Sequence, residues 1–186
     1  LKQEPNHWRT LRFATFRRAD VMSIGKPFSE FRMKLFFQER TNGHISLVKH
    51  YASKIAEVFP NLKEVINQAE DHDLSKFEEP EYTPYVHLTW KYRCKEKDGT
   101  DYEVPVDHNA ATMHHIKNNR HHPEYHDDGV NEQSLNLNDR DGIPERMTDG
   151  TKMTDVDIAE MVADWLAMSV EKNSDPKEWA DKNINK

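Results

Sequence analysis

The chain has 186 residues, of which 35% are hydrophobic and 32% are charged, and its formal net charge is −7. This length suits one domain with one core, and 18 aromatic residues, namely four Trp, eight Phe and six Tyr, supply the large apolar surfaces for it. The negative charge argues against broad binding to nucleic acid or anionic membranes, and the single cysteine, Cys94, excludes an internal disulfide and a cysteine-rich metal site. Since no stretch is apolar enough to span a bilayer, we expect a soluble, cytoplasmic protein.

The first forty residues alternate basic and aromatic side chains, as in residues 8–13 and 31–37. This pattern favours short helices that pack aromatic rings on a core, with the cations outside, over an arm that binds nucleic acid. Gly25-Lys26-Pro27 should divide the segment into two pieces. We expect residues 1–40 to form a basic, aromatic helical extension and residues 41–182 to form the main domain.

Helical periodicity predicts four helical stretches in the main domain, at residues 41–59, 62–69, 109–121 and 154–168. Pro60 and Pro123 should end the first and third of them, and Thr154 or Asp155 can cap the last. Residues 77–108 are less regular, and the turn signal at 97–100 suggests an irregular or short hairpin insertion. Residues 127–150 are polar and read as a loop, a candidate lid. The fold should be mainly α.

Histidine and aspartate residues carry the strongest chemical signal. His72 and Asp73 are adjacent and should close the second helical stretch, and Lys76 follows about one turn later. An imidazole and a carboxylate are both good ligands for a divalent transition metal, and an ammonium group can neutralise a phosphate oxygen. The run 114–126 adds five of the eleven histidines of the chain. This pattern predicts a metal enzyme.

The order of these motifs resembles the HD-domain superfamily of metal-dependent phosphohydrolases. A His with a Val four residues later, a His-Asp pair and a distal Asp on a late helix follow one another here as His44 and Val48, His72 and Asp73, and Asp164. Lys76 matches the lysine that often follows the pair. The resemblance implies an HD-domain-like helical bundle in which one divalent metal is held by His44, His72, Asp73 and Asp164. Iron, manganese, zinc, cobalt and nickel suit such ligands and can activate water.

The chain also resembles an uncharacterised, phage-associated family with the same layout. The resemblance covers about residues 41–182 and rests on motifs within four segments, at 41–48, 72–76, 114–124 and 160–165. This second resemblance does not indicate which reaction the protein catalyses. For a phage-encoded protein it implies the host cytoplasm as the compartment.

A second metal is suggested by the histidine-rich run, because two-metal HD proteins take two further histidines from this part of the chain. His115 and His122 share a helical face, but a straight helix would separate them by about 10 Å along its axis, too far for one ion. They could serve two metals, or Pro123 could bend the chain and bring His122 inward. We expect a dinuclear site that uses His115 and either His121 or His122, and we assign His122. Taken singly, His114, His121 and His126 fit better as supporting or surface residues.

Several roles remain open at the sequence level. His50 competes with His44, although the spacing to Val48 favours His44. Asp157 competes with Asp164, of which we favour Asp164. We assign Lys76 and Arg120 to a phosphate oxygen. Glu124 is a candidate general base, but it could also orient a ligand or lie on the surface.

Three functions are compatible with this sequence. The first is a phosphohydrolase that uses one or two divalent transition metals to cleave a nucleotide or another small phosphoester with activated water. The second is an HD-fold diiron oxygenase, which the extra histidines favour. The third is a noncatalytic HD-like binding or regulatory protein, whose partner would contact residues 1–40. The expected partner of the first is a small phosphorylated substrate, with no membrane and no nucleic acid.

Overall fold

The computed structural model describes residues 26–131 and 146–183. These ranges contain seven α-helices, which are α1 (Lys26–Val58), α2 (Val65–Gln68), α3 (Tyr82–Arg93), α4 (His108–Asn118), α5 (Pro123–His126), α6 (Asp155–Lys172) and α7 (Pro176–Asn183). They contain no strand, which confirms the mainly-α prediction. No helix in them is both long and apolar enough to cross a membrane.

The longest helix, α1, begins at Lys26 and continues without a break to Val58. Proline has no backbone N–H, but N–H groups in the first turn make no hydrogen bond within the helix. Pro27 is therefore tolerated at this position. The predicted division between residues 40 and 41 therefore falls inside α1 and not between two elements. Residues 1–25 of the predicted extension lie outside the described residues.

One face of α1 is buried along most of its length, because its apolar and small residues recur every three or four positions. The buried residues are Met33, Phe37, Thr41, His44, Ile45, Val48 and Ala52. Met33 and Phe37 form an apolar cluster with Val86 of α3, and Val48 and Ala52 form another with α2 and α6. His44 stands between these two apolar clusters.

The late helix α6 begins where the sequence predicts, at a capping box formed by Thr154 and Asp157. Its residues Ala159, Ala163 and Ala167 are buried against the cluster that contains Val48. Small side chains let two helix backbones approach closely, and α1 and α6 share the most extensive helix contact. This packing fixes the inward face of α6 opposite His44.

The region after residue 77 is more helical than the sequence indicates. It contains α3, which continues into a π-helical turn, Cys94–Asp98. Gly99 ends this turn with a φ of 63°, a conformation that glycine adopts at little cost. The hairpin that the turn signal at 97–100 suggested is wrong, because the glycine terminates a helix, and residues 99–107 are irregular.

The chain reverses earlier than predicted after α4. That helix ends at Asn118, and Asn119 has extended backbone angles. Pro123 does not end α4 but occupies the first position of α5. Residues 119–122, which include His121 and His122, therefore form a turn between two helices.

Candidate metal centre

The His72-Asp73 pair lies in a turn between α2 and a short 3-10 helix, Leu74–Phe77. The pair does not close a helix as predicted, because α2 already ends at Gln68. Asp73 has a φ of 60°, in the left-handed region that few residues other than glycine adopt but that Asp tolerates better than most. Both side chains are buried, with 2% and 1% of the residue surface exposed.

A first ligand group consists of His44, His72 and Asp164, whose ligand atoms all lie within 4.8 Å of one another. His44 Nε2 is 3.4 Å from His72 Nε2 and 3.0 Å from Asp164 Oδ1. Two nitrogen ligands of a tetrahedral metal, each about 2.1 Å from it, would stand about 3.4 Å apart. The spacing of the two imidazoles therefore fits a shared ion.

A second ligand group consists of His115, His121 and His122, which also lie with their ligand atoms within 4.8 Å of one another. The ring of His122 lies 5.0 Å from that of His115 and 4.3 Å from that of His121, between ring centroids. His122 Nε2 is shielded from solvent and has no hydrogen-bond partner. A buried imidazole nitrogen without a partner lowers the stability of the fold unless it accepts a hydrogen bond, donates one or binds a metal.

The Asp73 carboxylate lies between the two ligand groups. Its Oδ2 is 3.7 Å from Nε2 of both His44 and His72. Its Oδ1 is 3.2 Å from Nε2 of His115 and 3.8 Å from Nε2 of His121. Oδ1 is buried without a hydrogen-bond partner, and Asp73 forms a third possible ligand group with His72 and His121. Each oxygen thus faces a different set of imidazoles.

Glutamate side chains hold the outer nitrogens of three of these histidines. The Nδ1 atoms contact Glu171 at 2.9 Å from His44, Glu160 at 2.8 Å from His72, and Glu81 at 2.8 Å from His115. An ionised carboxylate can only accept, so each Nδ1 carries a hydrogen, and each Nε2 faces the centre, where it could bind a metal after losing any hydrogen of its own. Support of this type is common behind metal-bound histidines.

The electrostatics of the cluster are those of buried, closely paired charges. Burial opposes a charged His44, but hydrogen bonds with Asp164 and Glu171 outweigh it and raise the pKa of His44 to about 9. Burial also opposes a charged Asp73, but Lys76 and His72 hold the pKa of that carboxyl well below its usual range. Burial lowers the pKa of His122 well below its usual value.

The donor set fits a divalent transition metal. Imidazole nitrogens and carboxylate oxygens suit such ions, and the described part of the chain has three buried side-chain atoms without a partner, of which Asp73 Oδ1 and His122 Nε2 belong to the cluster. Five carboxylates, of Asp73, Glu81, Glu160, Asp164 and Glu171, contact its histidines. Several of the His/Asp groups could therefore hold a metal ion.

The structure brings all six predicted ligands together. They are His44, His72, Asp73, His115, His122 and Asp164. His121, for which a supporting or surface role was expected, is 3% exposed and belongs to two of the three groups, so the surface alternative is wrong. The reason is the early end of α4, which turns neighbouring histidines inward together. The rival His50 is exposed.

The three predicted catalytic residues have different surroundings. Lys76 Nζ contacts Asp73 Oδ2 at 2.5 Å, and 19% of its side chain is exposed. Arg120 donates from Nε and Nη2 to the two oxygens of Asp157, at 2.9 and 3.1 Å, so its guanidinium is paired with the residue that competed with Asp164. Glu124 lies outside both ligand groups, and its Oε2 is buried without a partner.

The supporting glutamates were not found from the sequence. Glu160, Asp164 and Glu171 are spaced by four and seven residues, and this spacing places them on one face of α6. Once Asp164 had been assigned, this shared face could have indicated that Glu160 and Glu171 lie near the site. Glu81, which also contacts His114 Nδ1 at 2.7 Å, has no periodic signal because it directly precedes α3.

Comparison with known proteins identifies a family for this chain. Residues 33–186 match the sequence profile of DUF5662, a family of unknown function. No curated protein and no solved structure matches the chain. Because the matched residues cover most of the chain, including every ligand described above, the protein belongs to the DUF5662 family.

Proposed function

We propose that the cluster binds two divalent transition-metal ions and that the protein is a metal-dependent phosphohydrolase. The observation that carries the proposal is the position of the Asp73 carboxylate, with Oδ2 facing His44 and His72 and Oδ1 facing His115 and His121. A carboxylate in this place could help to hold both ions. The first ion would use His44, His72 and Asp164, and the second His115, His121 and His122.

The chemistry expected of such a site is hydrolysis. A pair of divalent ions would supply Lewis acidity, which polarises a phosphoryl oxygen and lowers the pKa of water. Protein residues around the ions would then orient the substrate and manage the charge that develops on it.

Lys76 is the residue best placed to contact a phosphate oxygen. Its ammonium group touches Asp73, yet part of the side chain reaches solvent, and the ring of Tyr85 lies 5.1 Å from Nζ. Burial would lower the pKa of Lys76, but Asp73 and Tyr85 outweigh it and raise the pKa, so the group is charged at neutral pH. A substrate phosphate at the edge of the site would meet a fixed positive charge.

Arg120 and Glu124 have roles that differ from those of Lys76. Arg120 is held by Asp157, so we propose that it stabilises the turn that carries His121 and His122 and does not contact the phosphate. Glu124 keeps a buried, unpaired oxygen near the start of α5. It remains our candidate for accepting a proton from water.

The test is turnover of a panel of nucleotides and small phosphoesters by protein reconstituted with manganese, cobalt, iron or zinc. We expect phosphate or nucleoside release with at least one metal, and a loss of about 100-fold or more in the variant Asp73→Asn. Asp71→Asn, a change at an exposed residue two positions earlier, should retain the activity. Absence of turnover with every metal, or equal activity of the two variants, would contradict a hydrolase.

A second candidate function is supported by the all-histidine composition of the second ligand group. With Asp73 and the first group, these residues give an imidazole-rich site that suits two iron ions and oxygen chemistry. Oxygen uptake that depends on an organic substrate, after anaerobic loading with iron, would favour an oxygenase. Turnover that does not need oxygen would favour the hydrolase.

A further inference from the structure

Glu160 differs from the other supporting carboxylates because it contacts both ligand groups. It stands on α6, is 3% exposed, and precedes Asp164 by one helical turn. Its Oε1 lies 2.8 Å from His72 Nδ1 and 3.4 Å from His121 Nδ1. A single oxygen therefore supports one imidazole of the first group and one of the second, whose ring centroids are 4.2 Å apart.

The other oxygen of Glu160 fixes the orientation of the carboxylate. Oε2 accepts from Gln68 Nε2 at 2.7 Å, and the same nitrogen donates to Asp157 Oδ1 at 3.0 Å. Asp157 is held in turn by Arg120. Both oxygens of Glu160 are engaged, so the carboxylate cannot rotate freely. A displacement of one imidazole should therefore move the carboxylate and, with it, the other imidazole.

The chain contains two matched comparisons for this arrangement. Glu171 supports His44 of the first group and also pairs with Arg40. Glu81 supports His115 of the second group and also contacts His114. Each of these carboxylates is buried or partly buried beside a ligand histidine, as Glu160 is, but each serves only one ligand group.

We propose that Glu160 is a positioning residue that couples the two ligand groups, so that metal binding at either group orients an imidazole of the other. The inference rests on the metal binding proposed above. When His72 is fixed by an ion, its Nδ1–H holds Oε1 in place, and Oε1 then holds His121 with its Nε2 towards the second group. The first binding event thereby reduces the ordering cost of the second, and the effect is reciprocal.

The experiment is a calorimetric titration of the metal-free protein with manganese or cobalt ions. The wild-type chain should bind two ions with positive cooperativity. Glu160→Gln should weaken both binding events by about 10-fold or more and remove the cooperativity, because loss of outer support of this type costs about 10–100-fold in metal affinity. Glu171→Gln and Glu81→Gln should each weaken one event and leave the cooperativity in place.

A second variant guards against a folding defect. Glu160→Asp keeps the charge but shortens the side chain by one methylene, so this variant should also lose the cooperativity. A thermal melt followed by circular dichroism shows whether each variant is folded. A wild-type chain that binds a single ion overturns the coupling and the two-ion site proposed above. A chain that binds two ions without cooperativity overturns the coupling and leaves the hydrolase proposal standing. So does a Glu160→Gln variant that behaves like Glu171→Gln. A wild-type chain that binds no ion overturns both proposals.

Discussion

The two ligand groups are built on different kinds of backbone. In the first group, His44 and Asp164 stand in the middle of α1 and α6, whose buried faces pack closely through Val48, Ala163 and other small or apolar residues. In the second group, His121 and His122 stand in the turn at residues 119–122. Helix packing sets the directions of His44 and Asp164, whereas local polar contacts set those of His121 and His122. The remaining members do not follow this division, since His72 stands in a turn and His115 on α4.

Beside the pair of Arg120 with Asp157, two side chains make polar contacts that hold this turn. Lys117 Nζ donates to the backbone oxygens of Glu124, at 3.1 Å, and Asp127, at 2.8 Å. Asn119 donates from its side-chain amide to the backbone oxygen of His115 at 2.8 Å. A packed helix distributes its stability over many contacts, but a turn of this kind depends on single side chains. The second group should therefore be the easier of the two to perturb.

The largest expected effects on kcat come from two single variants, each of which removes one candidate ligand from one group. Asp164→Ala should lower kcat by about 100-fold or more, because it removes the negatively charged ligand of the first group. His122→Ala should lower kcat by about 10-fold, since the first ligand group, which contains Asp164, stays intact. At saturating metal, each variant should retain about one ion in the group left intact, which elemental analysis can measure.

The same two variants can contradict the idea that the two ligand groups form separate metal sites. If both lose all bound metal, the two groups do not form separate sites. If His122→Ala retains two ions and full activity, the second group does not hold a metal through His122, and His115 and His121 are left to act with Asp73 alone.

The difference between the groups also explains which residues could be predicted from the sequence. His44 and Asp164 follow from the resemblance to HD domains, and the mainly-α fold follows from helical spacing, which persists when helices pack. His121 does not, because the sequence gives no measure of where α4 frays, and a helix extended to residue 121 would have turned His121 away from His115. The end at Asn118 depends on tertiary contacts of the following turn, including Lys117 with Asp127.

Two further residues show the same limit. Gly99 reads as a hairpin turn from its neighbours, but a glycine with positive φ is equally suited to end a helix, and only the packing of α3 decides between them. Glu160 supports histidines that are 88 and 39 positions away in the chain. Contacts of that range have no local signature.

The packing beneath the first group can be tested at Ala163, which is completely buried against α1. Ala163→Leu should lower the free energy of unfolding by about 1–3 kcal/mol, because a larger side chain must push α1 and α6 apart. Val170→Leu, at an exposed position of the same helix, should change it by less than about 0.5 kcal/mol. Urea denaturation measures both, and equal effects would show that α6 is not closely packed.

Asp157 connects the two regions, since it accepts from Gln68 behind the first group and from Arg120 beside the second. Burial opposes its charge, but Arg120 and Thr154 outweigh it and lower the pKa of Asp157 from 3.8 to about 2. A carboxyl whose pKa is lowered by folding stabilises the protein above its unfolded pKa, and that contribution is lost as the pH falls through the folded pKa. The contribution is on the order of 2 kcal/mol at neutral pH.

The variant Asp157→Asn should therefore be less stable than the wild type at pH 6, and the difference should shrink as the pH falls below about 4. Denaturant unfolding at each pH, down to the lowest at which the protein stays folded, gives the two free energies. Asp155→Asn changes an exposed carboxylate in the same helical turn and serves as the control. A penalty for Asp157→Asn that stays constant with pH would mean that its charge does not matter.

The smallest expected effect concerns the turn alone. Lys117→Met keeps the length and apolar stem of the side chain but removes the ammonium group that joins the backbone oxygens of Glu124 and Asp127. We expect the second metal to bind about 10-fold more weakly, since a looser turn orients His121 and His122 less well. Helix packing holds His44 and Asp164 of the first ligand group, so the affinity of the first metal should fall much less, by no more than the coupling through Glu160 transmits. Calorimetric titration separates the two events, with Lys63→Met as an exposed control. Equal weakening of both events would show that helix packing does not protect the first group.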